Sequence, residues 1–189
     1  ILISAQESTN SDQIIEGINF QNQAIEKSIV RNLKFENIGP SIMSGRVSDL
    51  EVNPKNAKEF YVAYASGGLW HTNNNGNTFV PVFDNANTQN IGDFAVDWDN
   101  NIIIVGTGEN NSSRSSYAGI GILKSSDNGK NWKNIGLRDS HHIGKIKINP
   151  NNPDEIVVGV IGHLYSKNSE RGIFKTKNGG KTWDKTLYI

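Results

Sequence analysis

The chain has 189 residues, of which 19 are basic and 19 acidic, so its formal net charge is zero. This balance gives no support for general binding to nucleic acid or anionic membranes. The lack of cysteine excludes a disulfide framework and thiolate metal sites, and no apolar run is long enough to span a bilayer. The many glycine and asparagine residues predict short strands joined by tight turns.

The N-terminal part of the chain differs from the rest. Residues 1–6 look like the remnant of a signal peptide, an apolar region running into small residues, and this predicts export. The alternative is a disordered N-terminus. Residues 7–34 are a polar leader with isoleucines at helix-compatible spacing, at Ile14, Ile18, Ile25 and Ile29. We expect a short helical or irregular leader, with Ser11 or Asp12 as the helix cap.

An internal repeat determines the predicted fold. Residues 68–79 recur as 121–132 and again as 172–183. Thr72 and Ser125 are 53 residues apart, and Ser125 and Thr176 are 51 apart, which is the length of one four-stranded propeller blade. Before each copy, apolar residues alternate as they do in a strand with one buried face, at Leu50/Val52, Phe94/Val96 and Ile146/Ile148.

We therefore predict an all-β fold, a partial β-propeller of about three four-stranded antiparallel blades. The propeller should occupy residues 35–189 and be truncated, with blades at about 45–84, 91–136 and 143–189. Because a ring needs at least four blades, the remaining blades of the parent chain are an expected partner. The isolated segment should expose two apolar blade faces and be prone to associate.

The recurring motif reads Ser/Thr-x-Asp/Asn-x-Gly-x-Thr/Asn-Trp/Phe and resembles the Asp box of bacterial neuraminidase-type (BNR) repeats. Its predicted role is structural. The side-chain oxygen of Asp127, or of Asn74 or Asn178, should accept hydrogen bonds from its own turn, and the following glycine should adopt positive φ. The aromatic residue should be buried beside the turn and hold the third strand to the fourth. A calcium loop is disfavoured, because only one copy carries a carboxylate.

The loops at the opposite end of the blades are the predicted site, because binding groups commonly lie on loops of a rigid scaffold. These loops are residues 106–119, 138–142 and 162–171. The candidate ligand-binding residues are Glu109, Arg114, Tyr117, His141, His142, His163 and Arg171. The alternative is that they hold the long loops together through Glu–Arg and His–backbone contacts.

We predict neither a metal nor a cofactor. His141 and His142 are adjacent, so in a strand they point to opposite faces, and no carboxylate spacing supports a site that they would share with His163. Gly106-x-Gly108 follows an apolar strand, but Asn111 stands where a dinucleotide fingerprint has its third glycine and no helix follows.

Several segments resemble one family of large exported bacterial proteins. They are Asn37-Ile38-Gly39-Pro40, Met43-Ser44-Gly45-Arg46, and residues 60–70, 113–119, 139–144 and 162–166. The family has Asp-box propellers, is described as sortilin (VPS10)-like at its N-terminus, and is often labelled glycosyl hydrolase. The resemblance covers roughly residues 33–189. It implies a secreted, periplasmic or cell-surface module without a membrane span that binds, or acts as a scaffold for, a peptide, protein or glycan.

The alternative function is a glycoside hydrolase whose site is completed by other blades. Xyloglucan-active propeller glycosidases are similar around the first blade and carry a catalytic Asp just before a Gly-Gly pair, where this chain has Ser66 before Gly67-Gly68. The Arg-Ile-Pro signature of sialidases is also absent. A carboxylate pair would have to combine Glu109 with Asp49, Asp93 or Asp139. We therefore favour binding over catalysis.

Overall fold

The computed structural model describes residues 8–33, 45–111 and 116–188. The chain divides into two compact segments, Ile1–Ser44 and Gly45–Ile189. The signal-peptide prediction, at residues 1–6, lies outside the described residues.

The first segment contains one helix, α1 (Ser11–Lys27). Its N-cap is Asn10, whose Oδ1 accepts a hydrogen bond of 2.9 Å from the Gln13 backbone N–H. The cap was expected at Ser11 or Asp12, and that expectation is wrong by one or two residues. Both of these residues lie inside the helix. Asn10 takes the cap position instead, because asparagine adopts extended backbone and caps a helix as well as serine does. No residue of α1 is buried.

The second segment consists of three four-stranded sheets. Sheet one contains β1 (Val47–Val52), β2 (Phe60–Tyr64), β3 (Gly68–Thr72) and β4 (Val80–Pro81). Sheet two contains β5 (Ile91–Asp97), β6 (Ile102–Thr107), β7 (Ile122–Ser125) and β8 (Lys133–Gly136). Sheet three contains β9 (Ile143–Asn149), β10 (Asn152–Val160), β11 (Gly172–Thr176) and β12 (Asp184–Tyr188). Strands pair antiparallel with their sequence neighbours, which confirms the predicted partial propeller of about three blades.

Sheet two is packed on both faces. Ile103 and Ile104 are neighbours on β6 and both are fully buried, because successive strand residues point to opposite faces. Ile103 packs with Tyr61 of sheet one, and Ile104 packs with Ile146 of sheet three. Full burial of each such side chain stabilises the fold by about 1.5–3 kcal/mol. These contacts fix the innermost strands β1, β5 and β9 side by side.

Sheets one and three carry exposed apolar side chains. Leu50 and Val52 of β1 are 48% and 41% exposed, and Val157 and Leu187 of sheet three are 41% and 48% exposed. This exposure agrees with the expectation of uncovered apolar faces. Association of the segment stays a prediction.

The three repeated turns share one hydrogen-bond pattern. In the second copy, the Ser125 hydroxyl donates to Asp127 Oδ1 (2.8 Å) and accepts from the Gly129 backbone N–H (2.9 Å), while Asp127 Oδ1 accepts from the Asn131 backbone N–H (2.9 Å). The same bonds occur around Asn74 and Asn178. The predicted structural role of the Asp and Asn side chains is thus confirmed, as is positive φ at the glycine, 85° at Gly129.

The tryptophans of the second and third turns make a contact that was not predicted. The Trp132 indole N–H donates to Val82 O (2.9 Å) and the Trp183 indole N–H donates to Ile135 O (2.7 Å), in both cases in the preceding repeat. These rings therefore join one blade to the blade before it, and the Trp132 N–H also donates to Gly129 O (3.1 Å) in its own turn. The Phe79 side chain has no N–H group and is 38% exposed. Its ring packs edge-on against Phe60, with ring centroids 6.0 Å apart.

Each sheet has two ends that differ in character. The repeated turns hydrogen-bond to the turn before the second strand or to the start of that strand, as in Asn128 N–H to Asn101 O and Gly179 N–H to Asp154 O of β10. We call this end the turn edge. The opposite end, which we call the loop edge, consists of residues 65–67, 84–90, 108–111, 116–121, 137–142 and 161–171. The longest connections of the second and third repeats lie there.

Candidate functional site

Close backbone contacts hold the loop edge together. The Gly108 N–H donates to Asn90 O (3.0 Å), and the Gly119 N–H donates to His141 O (2.7 Å). Gly108 has a φ of 85°, and a Cβ placed on it would lie 1.8 Å from His141 O. Only glycine permits this approach, so the loop after β6 and the connection before β9 form one fixed surface.

Glu109 and His142 form the first group of predicted site residues. Each is 3% exposed. The Glu109 carboxylate pairs with the Arg46 guanidinium, and the His142 Nδ1–H donates to the Glu109 backbone oxygen (2.8 Å). Burial lowers the pKa of His142 below its usual range, so this imidazole is neutral at pH 7. These contacts are of the type expected if the residues hold loops together.

His141 and His163 form the second group. Their rings lie 3.8 Å apart between centroids at an angle of 31°. The His163 Nε2–H donates to Asp139 O (3.0 Å), and the same nitrogen lies 3.8 Å from Asp139 Oδ2. The other ring nitrogen, Nδ1, is 2.8 Å from the Ser166 hydroxyl. The two loops that meet here come from the second and third repeats.

The remaining predicted residues differ in placement. The Arg171 Nε–H donates to Ile161 O (2.8 Å) and its terminal N–H donates to His163 O, so this guanidinium closes the loop between β10 and β11. Tyr117 is 58% exposed and approaches Glu109 through the backbone alone, its carbonyl accepting from the Glu109 N–H (3.1 Å). Arg114 lies outside the described residues. Ligand binding by this set stays a prediction.

A carboxylate also lies beside the histidines. One potential ligand atom from each of Asp139, His141 and His163 lies within 4.8 Å of the others. No spacing in the sequence pointed to a carboxylate here. The proximity depends on backbone conformation: Leu137 and His141 have φ of 50° and 56°, and the Ser140 N–H donates to Leu137 O (3.2 Å). Non-glycine residues seldom adopt such φ angles, so the sequence carries little sign of this tight turn.

A charged group on the innermost strands was not among the predicted binding residues. Lys145 Nζ on β9 donates to Asp93 Oδ1 on β5 (2.6 Å) and to Asp49 Oδ2 on β1 (3.0 Å). Asp93 is 1% exposed and also accepts from the Ile146 backbone N–H (2.6 Å). The hydrolase alternative had named the two aspartates but not Lys145. Their equivalent positions in the repeat were the signal that would have grouped them.

The two carboxylates of this group have opposite pKa shifts. Burial, followed by the proximity of Asp49, raises the pKa of Asp93 to about 7. Burial also acts against the Asp49 carboxylate, but hydrogen bonds with Asp93 and Lys145 outweigh it and lower the pKa of Asp49. One proton is therefore shared unequally between two neighbouring acids, as is typical of paired carboxylates.

Four-stranded antiparallel sheets packed face to face, with their first strands adjacent at the centre and long loops at one end, define a β-propeller. Solved structures agree. The GH74 enzyme of Niastella koreensis matches with a TM-score of 0.58 and 18% identity, over 75% of this chain and 22% of that one. An ancestral GH74 enzyme matches with a TM-score of 0.55 and 22% identity, over 74% of this chain and 18% of that one.

A third match is the GH74 xyloglucanase from Xanthomonas campestris, with a TM-score of 0.51 and 17% identity over 75% of this chain and 20% of that one. The chain thus spans about a fifth of the length of these enzymes, and at such identities the likeness concerns the fold. No family model and no curated protein sequence matches the chain. In the described ranges, no helix has the length and apolar character needed to cross a membrane.

Proposed function

We propose that this chain is part of an exported, sortilin-like Asp-box propeller that binds a peptide, protein or glycan at its loop edge. The parent protein would be secreted, periplasmic or on the cell surface. Two exposed tyrosines carry the proposal: Tyr117 is 58% exposed and Tyr165 is 78% exposed, and they belong to the loops of the second and third repeats. Tyrosines offer large, rigid contact area with a polar end, and they are enriched at binding surfaces.

The charged groups of the loop edge and of the innermost strands favour binding over hydrolysis. Glu109 is paired with Arg46, and Asp49 and Asp93 share the Lys145 ammonium. Glycosidases usually need two carboxyl groups about 5–9.5 Å apart with a sugar between them. Two carboxylates that contact the same ammonium nitrogen leave no such space. A fixed polar surface flanked by aromatic rings instead suits recognition of a polar chain.

The test is binding of the purified whole protein to glycan and peptide arrays, followed by titration of each hit. The double variant Tyr117→Ala/Tyr165→Ala should weaken the best hit at least about tenfold, because truncation of an interface tyrosine commonly costs more than 1 kcal/mol. Phe79→Ala, which removes an exposed aromatic ring at the turn edge, is the matched control and should leave the affinity unchanged. Equal effects of the two changes would contradict the proposal. So would a saturable hit whose affinity neither change alters.

A carbohydrate-active hydrolase is the second candidate, favoured by the raised pKa of Asp93, about 7, which suits a general acid whose partner carboxylate would be Glu109. Environments that push two neighbouring carboxyl pKa values apart are used to assign acid and base roles. Turnover of polysaccharides by the whole protein, abolished by Asp93→Asn or Glu109→Gln, would establish this candidate and replace the binding proposal. Saturable glycan binding without reducing-end release would exclude it.

A further inference from the structure

The loop edge also contains a set of side chains of the types that bind metal ions. Asp139 and His141 come from the connection between β8 and β9, and His163 comes from the loop between β10 and β11. The His163 side chain is 7% exposed. The backbone holds His141 in place, since its left-handed conformation and the bond from the Gly119 N–H to its carbonyl fix the direction of its Cα–Cβ bond.

Oxygen atoms around Asp139 provide an independent observation. The Asn168 amide donates to Asp139 O (2.9 Å), yet its own Oδ1 is buried and has no hydrogen-bond partner among the described residues. Glu170 Oε2 is likewise buried without such a partner. Unsatisfied buried oxygens are rare in folded proteins and often mark a bound water or ion.

We propose that Asp139, His141 and His163 bind one divalent transition-metal ion, with Zn²⁺ preferred, and that this ion links the second and third blades. Two imidazoles and one carboxylate form a borderline ligand set that suits Zn²⁺, whereas Ca²⁺ and Mg²⁺ prefer oxygen ligands alone. Three protein ligands leave a coordination position for water or for an anionic group of a bound ligand.

Binding requires a small local rearrangement. Ligand atoms around tetrahedral Zn²⁺ are about 3.3 Å apart, and the distance from His163 Nε2 to Asp139 Oδ2 is 3.8 Å. The stacked imidazoles must also rotate so that both direct a nitrogen lone pair at the ion. His163 must give up the hydrogen bond from its Nε2–H to Asp139 O and carry its proton on Nδ1 instead. His163 already has its outer partner, because Nδ1 lies 2.8 Å from the Ser166 hydroxyl. A ligating histidine usually donates its second ring N–H to such a group.

The experiment uses the untagged whole protein, treated with EDTA and dialysed, then titrated with Zn²⁺, Mn²⁺ and Ca²⁺ in a calorimeter. Co²⁺ titration followed by visible absorption reports the coordination geometry. We expect Zn²⁺ to bind most tightly, and His163→Ala to remove one bound equivalent or weaken it more than about 100-fold. Ser166→Ala, at an exposed position, should weaken the same equivalent about 10- to 100-fold.

His71→Ala is the matched control, because His71 pairs with Glu59 on a different strand pair and should leave the metal titration unchanged. Circular dichroism of each variant checks that it folds. If His163→Ala prevents folding, the metal titration of Ser166→Ala decides the test. The proposal is overturned if the whole protein binds no Zn²⁺, or if the number and affinity of bound ions survive both the His163 and Ser166 changes.

Discussion

The shared ammonium of Lys145 offers a direct test of the charged group on the innermost strands. Lys145→Met keeps the length and most of the apolar stem of the side chain but removes the charge. Asp93, 1% exposed, then retains the Ile146 N–H but loses its cation. Removing one partner of a buried ion pair costs about 3–5 kcal/mol, and because the Lys145 side chain is 54% exposed we expect about 2–3 kcal/mol.

The loss of stability caused by Lys145→Met should be larger at high pH than at low pH. The pKa of Asp93 in the folded protein is raised to about 7 from an ordinary value of 3.8. A raised carboxyl pKa gives a stability contribution that is present below pH 4 and is lost as the pH rises through 7. Without the ammonium this pKa rises further, so the deficit of the variant should be largest at pH 8 and smaller at pH 5.

Lys147→Met, two residues along the same strand, is the matched control. Its side chain is 67% exposed and its Nζ lies 3.8 Å from Glu51 Oε1, a surface pair worth less than about 1 kcal/mol. The assay is urea unfolding followed by tryptophan fluorescence at pH 5 and pH 8 for the native protein and both variants. Equal losses for the two lysine changes, or a Lys145 deficit that is the same at both pH values, would refute the argument.

Three further predictions concern the repeated turns. Trp132→Phe removes the hydrogen bond to Val82 O and should lower the free energy of unfolding by about 1 kcal/mol in urea titrations, more than Phe79→Leu does. Gly129→Ala requires a side chain at a φ of 85° with its Cβ 2.8 Å from Val82 Cβ, so thermal unfolding should show a loss of more than about 1 kcal/mol. Hydrogen bonds from the Asn131 side chain and backbone, followed by the Ser125 hydroxyl, lower the pKa of Asp127 to about 2. A lowered carboxyl pKa gives stability that is lost as the pH falls from about 4 towards 2. Asp127→Asn should remove that dependence in acid titration. Stability at pH 7 should be nearly unchanged, because Asn74 and Asn178 occupy the same position in the other two turns.

The fold could be predicted because its determinants recur. Glycine and a short polar side chain at fixed spacing specify each turn locally, without reference to the rest of the chain. The role of Trp132 could not be predicted in the same way. Its indole N–H bonds to Val82, 50 residues earlier, and the sequence gives no measure of how one blade is placed against another.

The candidate site was predicted less completely. The convergence of the loops containing Glu109, His141 and His163 followed from propeller topology and is present in the structure. The pairing of Glu109 with Arg46, which lies 63 residues earlier in the chain, had no local signal. Asp139 approaches His163 because Leu137 adopts a left-handed conformation that its residue type does not favour.

The repeat itself separates the scaffold from the candidate chemistry. Residues that are equivalent in all three copies, such as the turn glycines and the apolar residues of the second strands, form the turns and the cores. Asp49, Asp93 and Lys145 also occupy equivalent positions, but their charge changes sign between copies, and this change creates the ion pairs across the centre. Three like charges there would repel one another, so the breakdown of the repeat is itself stabilising. The loops of the second and third repeats also depart from the repeat in length, and the exposed tyrosines and the histidines of the loop edge lie there. Positions that depart from the repeat are therefore where binding assays and variants should concentrate.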